Sequence, residues 1–291
     1  MRSPEVVGLA QRYGVAPDTR PRKRGREGGS RIPRWLYAPA LIGIAFLVLP
    51  VVALVVRANW TAIPAAIVSP AALDALWLSV QCGLAAVALC LVLGVPLALL
   101  LARFDTALTR LIRALVTLPL VLPPLVGGIA LLYLLGRTGL AGQYLDTWFG
   151  ITIPFSTVAV VLAESFVAMP FLVISVEGAL RTAGTRYDVV AATLGARPWT
   201  VFRRVTLPLV RPGLLSGTVL CLSRALGEFG ATALFAGNAA GITRTMPLAI
   251  YTNFNGSGAD QDAAIALSLL LVAVAIVFLL LIRGWRPEVQ R

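Results

Sequence analysis

The sequence contains no histidine and a single lysine, and charged residues make up only 13% of its 291 positions. Without histidine, the chain lacks the side chain most often used for proton transfer and metal binding near neutral pH. Lys23 follows Arg22 and not glycine, which excludes the Gly-Lys-Ser/Thr ending of a nucleotide-binding P-loop. Paired aspartate motifs and a plausible Ser–Lys dyad are missing as well. We therefore expect that this chain is not an enzyme and binds no cofactor or nucleotide.

Cysteine is also sparse, with three residues in the whole chain. Cys82, Cys90 and Cys221 all lie inside apolar runs, and their spacing does not match a metal site. We interpret them as small residues that face lipid or a neighbouring helix, and we predict neither a disulfide nor a bound metal.

Apolar side chains are what the sequence has in abundance. Hydrophobic residues make up 58% of the chain and the mean hydropathy is +0.85, which excludes a soluble globular domain. Six runs could cross a bilayer, whose core of about 30 Å needs about 20 helical residues. They cover residues 36–56, 76–102, 114–135, 155–176, 214–236 and 263–282. Runs this long exclude a β-barrel, so we predict an all-α, polytopic protein with six transmembrane helices in a membrane domain at 36–285.

The basic residues predict the orientation of these helices. If the N-terminus is cytoplasmic, 21 of the 25 Lys and Arg residues fall in cytoplasmic segments, as the positive-inside rule requires. Arg57, Arg137 and Arg244 fall outside, and Arg224 lies within a run. We therefore predict that both termini, including the tail at 286–291, are cytoplasmic. The basic tail at 1–35 is expected to be disordered and to lie against anionic membrane lipid, with no nucleic-acid partner.

One segment between two apolar runs, residues 185–208, is rich in arginine and must lie outside the lipid. Its arginines are Arg186, Arg197, Arg203 and Arg204. Each would cost a few kcal/mol near the centre of a bilayer. A structured basic loop of this kind is suited to binding a partner protein. The alternative is an amphipathic helix that lies on the membrane surface.

This segment predicts two short helices that meet at a glycine corner. Thr185 and Asp188 have the spacing of a capping box at the start of the first helix. Gly195 suits the left-handed position that ends it. Pro198 suits the first turn of a second helix, which we expect to end at Leu207-Pro208.

The spacing that follows Gly195 resembles the docking loop of ABC-importer permeases. The signature of that loop is Glu-Ala-Ala, three residues, Gly, nine residues and Ile-x-Leu-Pro. Here nine residues separate Gly195 from Val205-Thr206-Leu207-Pro208. The Glu-Ala-Ala positions read Val189-Val190-Ala191, so the glutamate is absent, and Asp188 is the candidate to replace it.

Four further stretches make the resemblance more specific. LPLVLPPLVGG begins at Leu118, DTWFGI at Asp146, SRALGEFGATALFAGN at Ser223 and TRTMPLAIYT at Thr243. All four resemble molybdate permeases, and the third also resembles sulfate and thiosulfate permeases. From about residue 76 to 285, the chain is identified as a member of the family of permeases for tetrahedral oxyanions, which have the type I ABC-importer permease fold.

The resemblance implies a membrane subunit that works with partners. These are two copies of an ABC ATPase that binds Mg-ATP, an extracytoplasmic oxyanion-binding protein, and a second copy of the chain. The expected function is import of molybdate, or of tungstate, sulfate or thiosulfate, across the cytoplasmic membrane by alternating access. A self-powered transporter or channel is the alternative of another class. It would need an internal repeat and a carboxylate relay; we find no repeat, and acidic residues are sparse.

The resemblance also assigns residues to the ATPase contact. They are Tyr187, Asp188, Ala191, Ala192, Gly195, Ala196, Leu207 and Pro208. The small side chains near the corner would let a groove of the partner approach closely.

Candidate residues for the translocation pathway lie in and after the fifth run. They are Arg224, Glu228, Gly230, Thr232 and Asn238. Arg224 and Glu228 are four residues apart and would share a helix face, so a purely structural ion pair is the alternative. Glu164, in the fourth run, is a second acid at a similar depth. We predict that either Glu228 or Glu164 holds Arg224, because a lone charge inside the membrane is costly.

The stretch 238–262 is rich in Gly, Asn and Ser and predicts an external loop. We expect a short helix or re-entrant turn near 246–254. The loop either docks the binding protein or is a plain connection.

Overall fold

The computed structural model describes residues 33–256 and 260–283. All regular structure in these two ranges is helical, as predicted. A 3-10 turn at Arg34–Leu36 precedes thirteen helices there. They are α1 (Tyr37–Arg57), α2 (Ile63–Val68), α3 (Pro70–Arg103), α4 (Ala107–Val121), α5 (Pro124–Leu135), α6 (Gly142–Phe149), α7 (Thr157–Ala183), α8 (Arg186–Thr193), α9 (Pro198–Val201), α10 (Leu207–Leu226), α11 (Gly230–Phe235), α12 (Met246–Asn255) and α13 (Gln261–Arg283). Most of the predicted basic tail and all of the C-terminal tail lie outside the described residues.

The contacts divide the chain after Val52 into two units. Where it is described, the first unit consists of the 3-10 turn and most of α1, and no residue of α1 is buried. The helices from α2 onward belong to the second unit. This unit contains the packed core and all the candidate site residues.

Five helical segments in the described ranges are long and apolar enough to cross a membrane. They are α1, α3, α7, the continuous helix Pro198–Leu226 and the Gln261–Phe278 part of α13. The sixth candidate is the pair α4 and α5, whose axes differ by 119° across a short break. The predicted six spans are therefore reached when this bent pair is taken as one crossing.

Contacts at the two ends of the bent pair support a single crossing. Arg113, on α4, bonds to the Leu101 carbonyl near the end of α3 and to Glu177 near the end of α7. In the second half of α5, Leu131 belongs to the same buried cluster as Ala159 and Val160 in the first turn of α7. The pair thus starts beside the C-terminal end of α7 and leads to its N-terminal end.

The prediction of one uninterrupted helix at 114–135 is wrong because two adjacent prolines interrupt it. A proline pushes the residue before it out of the helical region and into extended geometry. Leu122 accordingly has φ −66° and ψ 134°, and Pro123 has φ −54° and ψ 136°. The chain takes two extended steps before α5 starts at Pro124, where a missing N–H is tolerated in the first turn.

The second helix of the 185–208 segment does not end at Leu207-Pro208 as predicted, because a π turn carries it into the membrane. α9 runs through a π turn at Phe202–Thr206 directly into α10. In a regular α-helix the ring of Pro208 would press on the carbonyl of the residue four positions earlier. The Leu207 N–H instead bonds to the Phe202 carbonyl, one residue further back than in an α-helix. This wider turn accommodates the proline.

The predicted span at 214–236 is interrupted as well. α10 ends at Leu226, Gly227 caps it, and α11 begins only at Gly230. Phe229 between them has φ −126° and ψ −53°, outside helical geometry. Two glycines within four residues weaken the helix here, since glycine costs about 1 kcal/mol relative to alanine. We refer to residues 227–229 as the α10–α11 break.

Glycines allow the helices of the core to approach closely. A Cβ on Gly213 of α10 would lie 2.3 Å from the Cβ of Ala179 on α7, and one on Gly217 would lie 2.9 Å from the Cβ of Ser175. Such close approach through small residues is typical of membrane helices. The main core consists of α3, α7 and α10 with their buried apolar side chains.

A second cluster joins α3, α5, α7 and α11. A Cβ on Gly230 would lie 2.7 Å from the Cβ of Pro124, and one on Gly128 would lie 2.9 Å from the carbonyl oxygen of Ala231. The first turn of α11 therefore rests on the first turn of α5, and the two interrupted spans touch where they are broken. The predicted short helix near 246–254 is confirmed as α12, which packs against α3 and α13.

Candidate functional sites

Gly195 forms the corner of the 185–208 segment. Its φ of 80° is left-handed, as predicted, and this conformation favours glycine. Its N–H bonds to the Ala192 carbonyl, and the Ala196 N–H bonds to the Ala191 carbonyl, which closes the end of α8. The chain then turns into α9, where Pro198 occupies the first turn, also as predicted.

The predicted capping box is wrong. The Thr185 side chain makes no capping bond to α8, although Thr185 is the residue that precedes the helix. Asp188 turns away from the N-terminus of its own helix. One carboxylate oxygen pairs with Nη2 of Arg103 at the end of α3, and the other accepts a bond of 2.9 Å from the Thr206 hydroxyl. Asp188 thus bonds to an arginine and a buried hydroxyl outside α8 instead of to the free N–H groups at the start of α8.

The outer side of the segment presents large apolar groups. The exposed fraction is 59% for Tyr187, 83% for Leu194 and 68% for Trp199. A groove of about 350 Å³ lies between α8 and α9, with Ala192 and Ala196 in its wall. Six of the eight predicted contact residues are thus in α8 or at the corner. Leu207 and Pro208 start α10.

An ion-pair network that the sequence analysis missed lies beside the segment. Oε1 of Glu177 accepts bonds of 2.9 Å from Nε of both Arg113 and Arg181. Nη2 of the same two arginines donates to the Leu101 carbonyl at 3.1 and 2.9 Å. The network ties the C-terminal ends of α3 and α7 to the middle of α4. The spacing of Glu177 and Arg181, four residues apart, was the available signal.

Arg224 of α10 pairs with Glu228, which lies inside the α10–α11 break. Nη2 of Arg224 lies 2.7 Å from Oε2 of Glu228, whose side chain is 1% exposed against 28% for Arg224. The contact is an ion pair without hydrogen-bond geometry. The other carboxylate oxygen of Glu228 accepts a bond of 2.9 Å from the Ala231 N–H, in the first turn of α11. Glu228 therefore satisfies a backbone donor freed by the break while it neutralises the arginine. The two residues were expected on one helix face, but Glu228 lies outside α10.

Glu164 on α7 is buried without a salt-bridge partner among the described residues. Only 1% of the residue is exposed, and its Oε2 accepts no hydrogen bond from the described part of the chain. Its charge would repel that of Glu228. Of the two carboxylates considered for Arg224, the geometry thus selects Glu228.

The remaining pathway candidates divide into two places. Gly230 and Thr232 lie in α11 beside the break, and both are buried. The Thr232 hydroxyl has no hydrogen-bond partner among the described residues. Asn238 is exposed beyond α11. Its amide donates to the Thr252 hydroxyl and its side-chain oxygen accepts from Nε of Arg244, each at 2.9 Å. The structure therefore brings four of the five candidates together.

Solved structures with a similar fold come from ABC transporters. The chain superposes on a chain of a bacterial alginate ABC transporter with a TM-score of 0.64, covering 85% of this chain and 92% of that one at 19% identity. A chain of the MetNI methionine ABC transporter gives a TM-score of 0.57, with 74% and 96% coverage and 19% identity. At this identity, the likeness establishes the fold.

Proteins with similar sequences indicate the family more specifically than the fold does. The chain is 59% identical over 220 residues to the molybdenum transport system permease protein ModB of Mycobacterium bovis, covering 76% of this chain and 83% of the relative. It is 44% identical to ModB of Escherichia coli, with 62% and 78% coverage. The sulfate transport system permease protein CysW of Escherichia coli is 40% identical, with 62% coverage of both chains.

The family comparison agrees with the fold and with these relatives. Residues 94–287 match the family described as the inner membrane component of binding-protein-dependent transport systems. That range begins within α3 and includes the 185–208 segment and the α10–α11 break. The chain belongs to this family of transport permeases.

Proposed function

We propose that the chain is the permease subunit of an ATP-driven importer of molybdate. The observation that carries this proposal is the 59% identity to a molybdenum permease over 83% of that relative's length. The identity to a sulfate permease is lower, at 40% over 62% of its length, which makes sulfate the second candidate. Tungstate, another tetrahedral dianion, is a further candidate.

The 185–208 segment is the proposed contact with an ABC ATPase. The exposed side chains of Tyr187, Leu194 and Trp199 surround a corner whose small residues leave room for a partner. Full burial of one large apolar side chain contributes about 1.5–3 kcal/mol. Two permease copies would then carry two ATPase copies, which bind Mg-ATP. This chain itself would remain non-catalytic.

We infer that the end of the bundle with the 185–208 segment faces the cytoplasm of a cell whose inner membrane the chain spans. The positive-inside rule supports this, since Arg103, Arg113 and Arg181 gather at the same end. The loop that contains Asn238 and α12 would face outward, where an oxyanion-binding protein delivers the substrate.

The α10–α11 break is the proposed constriction of the pathway. Arg224 keeps guanidinium donors beyond the one paired with Glu228, and its side chain is 28% exposed. The ion pair is neutral as a whole, so it would admit a dianion without binding it tightly. Gly230 and Thr232 would line the same region, and Asn238 its outer mouth. Movement of the docked segment would open this region to alternate sides.

Uptake of radiolabelled molybdate tests the proposal. The chain would be produced with its cognate ATPase and binding protein in a bacterium that lacks its own molybdate permease. We expect saturable uptake that excess tungstate reduces strongly and excess sulfate reduces little. The same strain without the chain is the control.

Two outcomes would contradict the proposal. Uptake of labelled sulfate without uptake of molybdate would mean that sulfate, the second candidate, is the substrate. Uptake that persists when the ATPase is omitted would identify a self-powered transporter.

A further inference from the structure

Asp188 connects three elements of the chain through one carboxylate. Its Oδ2 pairs with Nη2 of Arg103, the last residue of α3. Its Oδ1 accepts a 2.9 Å bond from the hydroxyl of Thr206, the last residue of the π turn that leads into α10. Only 11% of the Asp188 side chain is exposed. Asp188, Arg103 and Thr206 lie at the base of the groove between α8 and α9, and little of the Asp188 side chain itself is accessible to a docking partner.

Both bonds of Asp188 hold α8 in a fixed position relative to its neighbours. The pair with Arg103 is a charge-assisted hydrogen bond, which is stronger than a neutral one. Thr206 is 5% exposed, so loss of its acceptor would leave a buried hydroxyl without a partner. Loss of this single carboxylate would therefore remove both the side-chain bond from α8 to α3 and the one from α8 to the π turn before α10.

The end of α3 is in turn bonded to two further membrane helices, α4 and α7. The Leu101 carbonyl, two residues before Arg103, accepts bonds from Arg113 of α4 and Arg181 of α7. Glu177 holds the same two arginines. A displacement of α8 that moves Arg103 would act on α4 and α7 through this network.

We propose that Asp188 is a positioning residue that transmits movement of the docked helix α8 to the membrane helices α3 and α10. The proposal rests on the proposed function, since it assumes that an ATPase docks on the 185–208 segment. It differs from the role expected from the sequence, in which Asp188 replaces a glutamate of the docking signature. Asp188 acts within the chain, and the outward-facing apolar residues hold the ATPase.

The test separates docking from transmission. Asp188→Asn and Thr206→Val would be reconstituted into proteoliposomes with the ATPase and the binding protein, and uptake per ATP hydrolysed would be measured. Asp105→Asn is the matched control, because Asp105 is an exposed carboxylate just beyond α3. We expect Asp188→Asn to lower the ratio by about tenfold, within the range typical of coupling between sites. Thr206→Val should lower it less, and Asp105→Asn should leave it unchanged.

Exchanging the two charged residues of the Arg103–Asp188 pair distinguishes loss of the ion pair from misfolding as the cause of a lower uptake ratio. Arg103→Asp combined with Asp188→Arg re-forms the pair in reverse, and it should recover part of the ratio lost by either single change. The amount of ATPase retained by the purified permease should stay at the wild-type level in every variant.

Several results would overturn the proposal. Loss of ATPase retention in Asp188→Asn would make Asp188 a direct contact. An unchanged uptake ratio in that variant would remove its role in transmission, as would the absence of any recovery in the exchange variant. If the wild-type chain failed to retain the ATPase, the proposed function itself would fail, which is a distinct outcome.

Discussion

At the scale of single residues, Gly195 is the most constrained position of the proposed docking surface. Its φ is 80°, and a Cβ added there would meet nothing within 4 Å. The obstacle to substitution is therefore backbone strain, about 1–2 kcal/mol for a residue with a side chain. We expect Gly195→Glu to abolish uptake, because it adds this strain and a charge to the corner, while the permease still assembles in the membrane.

Gly195→Asn is the control for this prediction. Asparagine tolerates left-handed geometry better than most residues and carries no charge, so uptake should be largely retained. ATPase retention and molybdate uptake would be measured for both variants. Wild-type uptake by Gly195→Glu, with the ATPase still bound, would show that the corner is not a docking element.

The pair of Arg224 and Glu228 allows a second residue-scale prediction. Arg224→Ala leaves Glu228 as a buried carboxylate without its counter-ion, which costs about 3 kcal/mol or more. The double change Arg224→Ala with Glu228→Gln should therefore be more stable in detergent than Arg224→Ala alone. A double-mutant cycle on thermal unfolding of the purified permease measures this coupling.

The same cycle with Glu164→Gln is the comparison. Glu164 makes no ion pair with Arg224, so the two changes should be nearly additive. Strong coupling to Glu164 would mean that it is the acid that holds Arg224. Additivity in both cycles would leave neither acid in that role, and direct contact between Arg224 and the passing anion would become the better explanation.

At the scale of elements, apolar run length predicted where helices cross but not where they break. The run at 76–102 corresponds to α3, which extends beyond it at both ends. The run at 155–176 corresponds to α7, which begins slightly later and extends further at its C-terminal end. The breaks in the other two runs depend on backbone geometry that composition does not reveal. Prolines 123 and 124 interrupt a span, whereas Pro208 is accommodated by a π turn. The same residue type thus has opposite effects in two contexts.

The contact between α5 and α11 predicts an element-scale effect. A Cβ on Gly230 would lie 2.7 Å from the Cβ of Pro124, and the backbone of α5 would have to shift. We expect Gly230→Ala to destabilise the permease by about 1–3 kcal/mol, as overpacking does. Thermal unfolding in detergent measures the loss.

Gly178 provides the matched control within a helix. It lies in α7, and a Cβ there would meet nothing within 4 Å. Gly178→Ala should therefore raise stability by about 0.5–1 kcal/mol through the better helix propensity of alanine. Equal effects of the two substitutions would mean that α11 does not rest on α5 as described.

The candidate sites were predictable to different degrees. The left-handed corner followed from Gly195 and the proline three residues later, because both signals are local in sequence. The environment of Asp188 did not, since its partners Arg103 and Thr206 are 85 and 18 residues away. A capping box was the local alternative, and long-range ion pairing displaced it. Glu177 was missed for the same reason, because one of its two arginines lies on another helix.

At the scale of the whole molecule, the inferred orientation can be tested with cysteine labelling. Thr193→Cys would introduce an exposed thiol at the end of the bundle that carries the 185–208 segment. Ala240→Cys would introduce one at the opposite end. The native cysteines are no more than 1% exposed and should not react. We expect a membrane-impermeant maleimide to label position 240 in intact cells and position 193 only after permeabilisation. The reverse pattern would mean that the chain is inserted the other way round.

The continuous helix from Pro198 to Leu226 has a consequence for how force would travel. Its 29 residues span about 43 Å at 1.5 Å per residue, longer than a bilayer core, with the π turn close to the Trp199 end. One end carries Trp199 beside the glycine corner, and the other reaches Arg224. A tilt of about 10° around the Trp199 end would move the Leu226 end by about 7 Å, more than the roughly 5 Å of a one-turn ratchet between helices. A small rocking motion at the surface would thus become a displacement at mid-membrane as large as a helical turn.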